Sequence, residues 1–161
     1  MSDGCAMKGL FVLQWHDTEL PHLDLGIELA GELACWRLDG TPSFDPDETV
    51  GAVRLENRPL DYLGFSGIAL GLDCGDGALD VCDQGLAHSL RRDRSGRPVT
   101  ITAAVDAGES LIWLEGSTLQ GGWGLVRADE RWQLTKAPDL VARGARSLGL
   151  RSPAGRLAHL G

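Results

Sequence analysis

The sequence predicts a mainly β fold, a compact antiparallel β-barrel with one or two short helices. Apolar and polar residues alternate with period two in many short segments, which is the pattern of half-buried strands. Turn-forming residues separate these segments, with 22 Gly and 7 Pro among 161 residues. A hydrophobic content of 43% in a chain of this length is enough for the core of one domain. Strands at such regular spacing are typical of an antiparallel sandwich or a small barrel.

Four strands are predicted in the first third of the chain. The second of them has leucine or isoleucine at every other position, so one of its faces is apolar and the other polar. Gly31 marks a turn, after which the third strand returns as the hairpin partner of the second. A loop containing Pro42 and Pro46 precedes the fourth strand. The predicted strands are residues 10–14, 23–29, 32–38 and 50–56.

The rest of the chain is predicted to hold one helical turn and five further strands. The turn covers residues 59–63, with Pro59 at an early position where its missing N–H costs little. A loop rich in Gly and Asp follows at 71–77, and its Cys74 is expected to be more exposed than Cys35 and Cys82. The carboxylates of this loop match no EF-hand pattern and are interpreted as solvated turn residues. Asp83, which follows the loop, is interpreted in the same way. The five strands are 78–82, 99–105, 110–115, 122–127 and 131–136.

We expect two parts in the chain. Residues 1–138 form the barrel, and residues 139–161 form a basic C-terminal tail that is a short helix, over about 139–148, or disordered. No apolar run is as long as a membrane span, and the N-terminus lacks the pattern of a secretory signal, so a cytoplasmic protein without membrane contact is expected. The net charge of −8 argues against sequence-independent attraction to nucleic acid.

His16, His22 and Asp24 are the candidate metal ligands. His22 and Asp24 are two residues apart, so in a strand both side chains point to the polar face, and His16 could fold back over it. Two neutral imidazoles and a carboxylate form a partial shell for a divalent transition metal, with positions open for water or substrate. The alternative is that these three residues are hydrogen-bonded groups of a metal-free barrel.

Several segments resemble the 3'-phosphoesterase domain of bacterial DNA ligase D and its stand-alone relatives. The first is residues 11–17 (FVLQWHD), and His22-Leu23-Asp24 follows at the metal-ligand spacing of the family. The central motif of the family is close to residues 58–67 (RPLDYLGFSG). Its closing hairpin is similar to residues 119–127 (LQGGWGLVR) and 132–136 (WQLTK). The resemblance covers about residues 9–138 and agrees with the β-barrel predicted from the strands.

The resemblance implies an activity at DNA ends, because the family removes 3'-phosphates and 3'-terminal ribonucleotides with the help of manganese. It implies metal ligands at His16, His22 and Asp24, and Mn²⁺ as the ion, with Zn²⁺ or another divalent transition metal as the alternative. It also implies that Gln14 helps to hold the phosphate. The implied partners are DNA 3' ends, together with a ligase or polymerase repair protein.

Two positively charged residues and a tyrosine complete the candidate site. Tyr62 and Arg58, both in the central motif, are the candidate catalytic residues and are expected to flank the substrate phosphate. Arg54 is a second candidate for substrate binding if it reaches inward. The alternative for both arginines is a surface salt bridge.

The sequence departs from the family where the phosphate should be bound. Gly26 stands where the family typically has an arginine, Gly40 stands near the position of a lysine, and Val50 replaces a basic residue. Arg58 replaces a catalytic histidine and cannot donate a proton near neutral pH. We therefore expect reduced or altered activity if the protein is an enzyme. The alternative is a non-catalytic metal-binding barrel that binds nucleic-acid ends or partner proteins.

Overall fold

The computed structural model of the protein describes residues 8–149. Nine strands dominate it, with two α-helices and one 3-10 helix. The strands are β1 (Lys8–Asp17), β2 (His22–Leu29), β3 (Glu32–Leu38), β4 (Thr49–Arg54), β5 (Gly67–Ala69), β6 (Gly77–Ser89), β7 (Glu109–Glu115), β8 (Gln120–Ala128) and β9 (Arg131–Lys136). The helices are the 3-10 helix Leu60–Gly64, α1 (Ile101–Asp106) and α2 (Leu140–Ser147).

Eight of these strands close into an antiparallel barrel, which confirms the predicted fold class. The order is β1-β2-β3-β4-β9-β8-β7-β6, and β6 then pairs with β1 to close the sheet. The short strand β5 adds to the outer edge of β6. Closure removes most free sheet edges, because β1 and β6, which would otherwise be edge strands, form hydrogen bonds with each other.

The barrel interior is a dry apolar core. It takes alternate residues from each strand, such as Leu25 and Ile27 from β2 and Trp36 from β3. The indole rings of Trp36 and Trp132 meet edge to face with 5.4 Å between centroids. Within the described residues the lumen is therefore packed with apolar side chains.

A second, smaller core lies outside the barrel wall. It contains Val12, Leu33, Cys35 and Leu55, all from positions that alternate with the lumen-facing ones. The covering segment, residues 55–76, packs over this face and includes the 3-10 helix. Backbone hydrogen bonds between Leu33 and Arg58, 2.8 Å in both directions, attach the segment to β3. The polar face of β2 is therefore buried under a layer of chain and not wet.

Two element predictions are corrected. Residues 99–105 were expected to form a strand, but Ile101–Asp106 forms helix α1. The Thr100 side chain accepts a hydrogen bond from the Ala103 N–H and caps the helix, so a local N-cap outweighs the β-branched residues. Strand β5 was not predicted, because its three residues are too few to show alternation.

Helix α2 lies where a short helix was expected after the barrel. Asp139 caps its N-terminus and also accepts a hydrogen bond from Gly122 N at 2.8 Å. The buried Lys136 ammonium bonds to the same carboxylate at 2.7 Å, which joins the helix to β8 and β9. The division at residue 138 stays a prediction, and the predicted tail beyond 149 lies outside the described residues. No helix within 8–149 is both long and apolar enough to cross a membrane.

Candidate metal centre

Two neighbouring strands, β1 and β2, place the candidate ligands on the outer face of the barrel. The hairpin registers put His16 on β1 directly opposite His22 on β2, and Gln14 opposite Asp24. On the other side of β2, Asp24 faces Arg37 of β3. Direct cross-strand partners point to the same face of a sheet, so all five side chains share the face under the covering segment.

Asp24 is the hub of this cluster and is only 1% exposed. One carboxylate oxygen, Oδ2, lies 3.1 Å from His16 Nδ1 and accepts a hydrogen bond from Arg58 Nη2 at 2.9 Å. The other, Oδ1, lies 3.0 Å from His22 Nε2. The structure therefore brings together the three predicted ligands and places Arg58 beside them. Their role as metal ligands stays a prediction.

Cys74 joins the cluster from the loop between β5 and β6. Its Sγ lies 3.3 Å from His16 Nδ1, 3.4 Å from Arg58 Nη2 and 3.8 Å from Asp24 Oδ2. One donor atom from each of His16, His22, Asp24 and Cys74 falls within 4.8 Å of every other. The expectation that Cys74 is merely a more exposed loop thiol missed this contact.

The cluster fits a divalent cation. Atoms bonded to one ion at about 2.0–2.3 Å are separated by about 3–4 Å. The individual contacts of 3.0–3.8 Å within the cluster lie in this range, and the full set of four donor atoms extends to 4.8 Å. His22 Nε2 and Asp24 Oδ1 are buried and lie 3.0 Å apart as an ion pair, and neither atom has a partner outside this pair among the described residues. His16 Nε2 is buried and has no hydrogen-bond partner among these residues. Since buried polar atoms are normally satisfied, such orphaned donors and acceptors are what a shared ion would explain.

The charges of the cluster are strongly coupled. Burial alone would raise the pKa of Asp24, but the hydrogen bonds from His16 and His22 and the charge of Arg58 outweigh it and hold that pKa well below its usual range. Burial alone would lower the pKa of His22, but its bonds to Asp24, Cys74 and the Leu20 carbonyl raise it to about 10. Without an ion, His22 therefore carries a proton at neutral pH, and a metal must displace it.

Gln14 and Tyr62 are joined through the backbone. The buried Gln14 Nε2 donates to the carbonyls of Tyr62 at 2.9 Å and Phe65 at 3.1 Å, so it holds the 3-10 helix against β1. The Tyr62 ring is half-buried and packs on Phe65 with 4.9 Å between centroids. The predicted roles of Gln14 in phosphate binding and of Tyr62 beside the phosphate stay predictions.

Arg54 lies apart from the four candidate ligands. Its guanidinium stands 4.8 Å from the Trp36 ring centroid, on the lumen side of the wall. It donates to the Leu55 carbonyl at 2.8 Å and to Asn57 Oδ1 at 2.7 Å. Substrate binding by Arg54 stays a prediction, and these bonds would have to break for it.

A cleft of about 830 Å³ leads from the surface to the cluster. His22 and Cys74 line it on one side and Arg37 on another. Arg37 is half-buried, forms no ion pair with the described residues, and is the one Lys or Arg in the cleft wall that they provide. As far as the structure describes it, the wall holds three carboxylates: Asp39 is paired with Arg131, Asp76 accepts a bond from Gly71 N, and Glu19 is exposed. Arg37 is therefore the cation best placed to meet an anion that enters the cleft.

The sequence contained a signal for Arg37 but none for Cys74. A turn at Gly31 pairs Leu29 with Glu32, and the same register pairs Asp24 with Arg37. Cys74 comes from a distant loop whose approach to β1 no local pattern encodes.

The absence of an arginine at position 26 has a steric reason. A Cβ on Gly26 would lie 2.9 Å from Leu33 Cγ, and Leu33 is completely buried in the second core. A larger residue at 26 requires Leu33 to move.

Comparison with known proteins identifies relatives. The family model described as the DNA ligase D 3'-phosphoesterase domain matches residues 14–127. The multifunctional non-homologous end joining protein LigD of Pseudomonas aeruginosa is 33% identical over 138 residues, which is 83% of this chain and 16% of that protein. The multifunctional non-homologous end joining DNA repair protein LigD of Mycobacterium tuberculosis is 29% identical over 126 residues, which is 76% of this chain and 15% of that protein. This chain thus spans about a sixth of the length of either relative.

Proposed function

Because the chain belongs to the DNA ligase D 3'-phosphoesterase domain family, we propose that it acts in DNA repair by removing a 3'-phosphate or 3'-ribonucleotide from DNA ends, with activity reduced or altered relative to typical members. The observation that carries this proposal is the convergence of His16, His22 and Asp24 in one cluster, of which His22 lines an open cleft. Both relatives are named as non-homologous end joining proteins, and the name of the Mycobacterium tuberculosis relative includes DNA repair. These names support the same role.

The proposed metal ligands are His16, His22 and Asp24, with Mn²⁺ as the ion that the family implies. When bound there, a divalent cation polarises a phosphoryl oxygen and lowers the pKa of coordinated water. The buried position of the ligands keeps bulk water away and strengthens their electrostatic interactions.

Two guanidinium groups would bind the phosphate in place of the basic residues that the sequence lacks. Arg58 Nε and Nη1 are buried and have no hydrogen-bond partner among the described residues, so both can donate to an oxyanion. Arg37 would meet the incoming DNA end in the cleft, where its charge is not neutralised by a partner. Tyr62 would flank the phosphate, and Gln14 would keep the 3-10 helix in place.

The test is phosphate release from a 3'-phosphorylated primer annealed to a template, with Mn²⁺, Zn²⁺ or chelator. We expect release that needs the metal and that falls by about 100-fold or more in His22→Ala, as for loss of one essential electrostatic contact. His88→Ala is the matched control, because His88 stacks on Trp113 and lies outside the cluster. Equal release by wild type and His22→Ala would contradict the proposal.

A second candidate function is a non-catalytic barrel that binds DNA ends, and Arg58 favours it. This side chain is 2% exposed and bonded to Asp24, and it brings a fixed positive charge where the family has a proton-handling histidine. Wild type that binds the primer end and releases no phosphate with any metal would support this candidate. The variant Arg58→His then tests why wild type lacks activity. Phosphate release that rises by about tenfold or more in this variant would show that proton transfer limits the reaction in wild type.

A further inference from the structure

Cys74 places sulfur among ligands of nitrogen and oxygen. We propose that the Cys74 thiolate is a fourth ligand of the centre and makes the protein select Zn²⁺ over Mn²⁺. This inference rests on the metal centre of the proposed function, and it changes the ion expected there.

The geometry supports ligation by sulfur. Cys74 Sγ approaches His16 Nδ1 to 3.3 Å and Asp24 Oδ2 to 3.8 Å, the spacing of atoms that surround one tetrahedral ion. The nitrogen Nε2 of His22, whose side chain is 9% exposed, lies 3.0 Å from Oδ1 of Asp24, and neither atom has another partner among the described residues. One donor atom from each of the four residues lies within 4.8 Å of the others, close enough for the four to share one ion.

The chemistry of the donor set favours zinc. Thiolate and imidazole are the ligands that Zn²⁺ prefers, whereas Mn²⁺ prefers carboxylate, carbonyl and water oxygen. Without Cys74, the set has two imidazoles and one carboxylate. With Cys74 the set contains sulfur, nitrogen and oxygen donors, all of which Zn²⁺ binds, and the thiolate is the donor that Mn²⁺ favours least.

The charge of Arg58 gives the thiolate a further role. Arg58 donates to Asp24 at 2.9 Å, so the negative charge of that carboxylate is already balanced by a guanidinium. A dication added to two neutral imidazoles and this balanced pair would meet no net negative charge. The thiolate supplies one negative charge and offsets the repulsion between Arg58 and the ion.

The loop holds Cys74 in position through its neighbours. Asp73 Oδ2 accepts a hydrogen bond from Glu56 N at 2.9 Å, and Asp76 Oδ1 accepts one from Gly71 N at 2.7 Å. Gly75 N donates to the Leu72 carbonyl at 3.0 Å. A ligand positioned before the ion arrives loses little freedom on binding, which favours affinity.

The experiment loads the full chain with Co²⁺, a spectroscopic substitute for zinc, and measures Zn²⁺ and Mn²⁺ affinities by competition titration. Wild type should show a thiolate-to-cobalt charge-transfer band in the near ultraviolet. Cys74→Ser should lose that band and bind Zn²⁺ about 100-fold more weakly, while its Mn²⁺ affinity changes much less. Cys82→Ser is the matched control, because Cys82 is also half-buried and contacts its own strand at the Asp80 carbonyl.

Failure of the inference can be separated from failure of the proposed function. A cobalt-loaded wild type without the thiolate band, or a Cys74→Ser variant with unchanged Zn²⁺ affinity, overturns the inference even if phosphate is released with Mn²⁺. A thiolate band and selective Zn²⁺ binding without turnover uphold the inference and contradict the proposed hydrolysis. No binding of Co²⁺, Zn²⁺ or Mn²⁺ overturns both.

Discussion

Arg58 and Asp24 form an ion pair that is almost completely removed from water. Both are at most 2% exposed, and their atoms lie 2.9 Å apart. Burying two charges costs about as much as their attraction returns, but removing one partner leaves the other buried and uncompensated. The pair is therefore a site of large single-mutant effects on folding.

In the metal-free protein, we expect Asp24→Asn and Arg58→Met each to lower the free energy of unfolding by about 3–5 kcal/mol. The double variant should lose much less than the sum, because neither charge is then left alone. Urea unfolding in the presence of chelator measures all three. Arg91→Met, in the exposed pair Arg91–Glu109, should change stability by no more than about 0.5 kcal/mol. Additive losses in the double variant would show that the two side chains act separately.

Only the part of the candidate site that follows from the local alternation of apolar and polar residues could be predicted. Period two placed His22 and Asp24 on one face, and the turn before β2 brought His16 to them. Alternation shows which residues share a face but not what covers it, so the burial of that face and the approach of Cys74 could not be predicted. Those contacts join residues 58 positions apart.

At the scale of elements, the β7–β8 turn depends on a carboxylate from another strand. Asp83 of β6 is 5% exposed and accepts hydrogen bonds from the backbone N–H groups of Ser117, Thr118 and Leu119 at 2.7–2.9 Å. The interpretation of Asp83 as a solvated turn residue is wrong, because the turn it serves is on a different hairpin. Gly116 is required beside it, since a Cβ there would lie 2.3 Å from Asp83 Oδ2.

We expect Asp83→Ala to destabilise the protein by about 2–4 kcal/mol, because three backbone donors lose a charged acceptor in a buried place. Chemical denaturation measures the change. Asp80→Ala, on the same strand but exposed, should stay within about 0.5 kcal/mol of wild type. Similar effects of the two substitutions would mean that water replaces Asp83 at the turn.

Strands could be predicted from the sequence where apolar and polar residues alternate over many positions. Where the pattern covers only a few positions, the prediction failed. Strands β2 and β3 have the predicted bounds to within one residue, because each shows the pattern over seven or eight positions. Residues 99–105 also contain spaced β-branched side chains, yet the decisive signal was the Thr100 cap. Short apolar segments do not distinguish strand from helix.

At the scale of the whole molecule, the cluster makes stability depend on pH. The pKa of His22 is raised from 6.5 to about 10. The contribution of His22 to the free energy of unfolding is therefore fully present below pH 6.5 and is lost as the pH rises towards 10. The pKa of Asp24 is lowered from 3.8, so its contribution is present above pH 3.8 and is lost as the pH falls through the range below that value. These two groups alone favour the metal-free fold most between pH 3.8 and 6.5.

Thermal unfolding with chelator should therefore give a lower Tm at pH about 9 than at pH about 6. Added Zn²⁺ should reverse the trend, because the ion displaces a proton from His22 and binds better as the pH rises. His22→Ala should flatten the dependence in chelator. A metal-free Tm that rises steadily over this range would contradict the proposed charge state of the cluster.

The position of the centre outside the barrel wall separates two kinds of motion. The covering segment is attached to the wall by backbone bonds, such as those between Leu33 and Arg58, by the pairing of β5 with β6 and by packing on the second core, whereas the wall itself is a continuous ladder of strands. A segment outside such a ladder opens locally at a lower free energy than the ladder itself. Because Cys74 and Arg58 belong to the covering segment, an ion bound at the centre would tie this segment to the wall. Amide hydrogen exchange in the segment should therefore report occupancy of the centre that exchange in the strands does not.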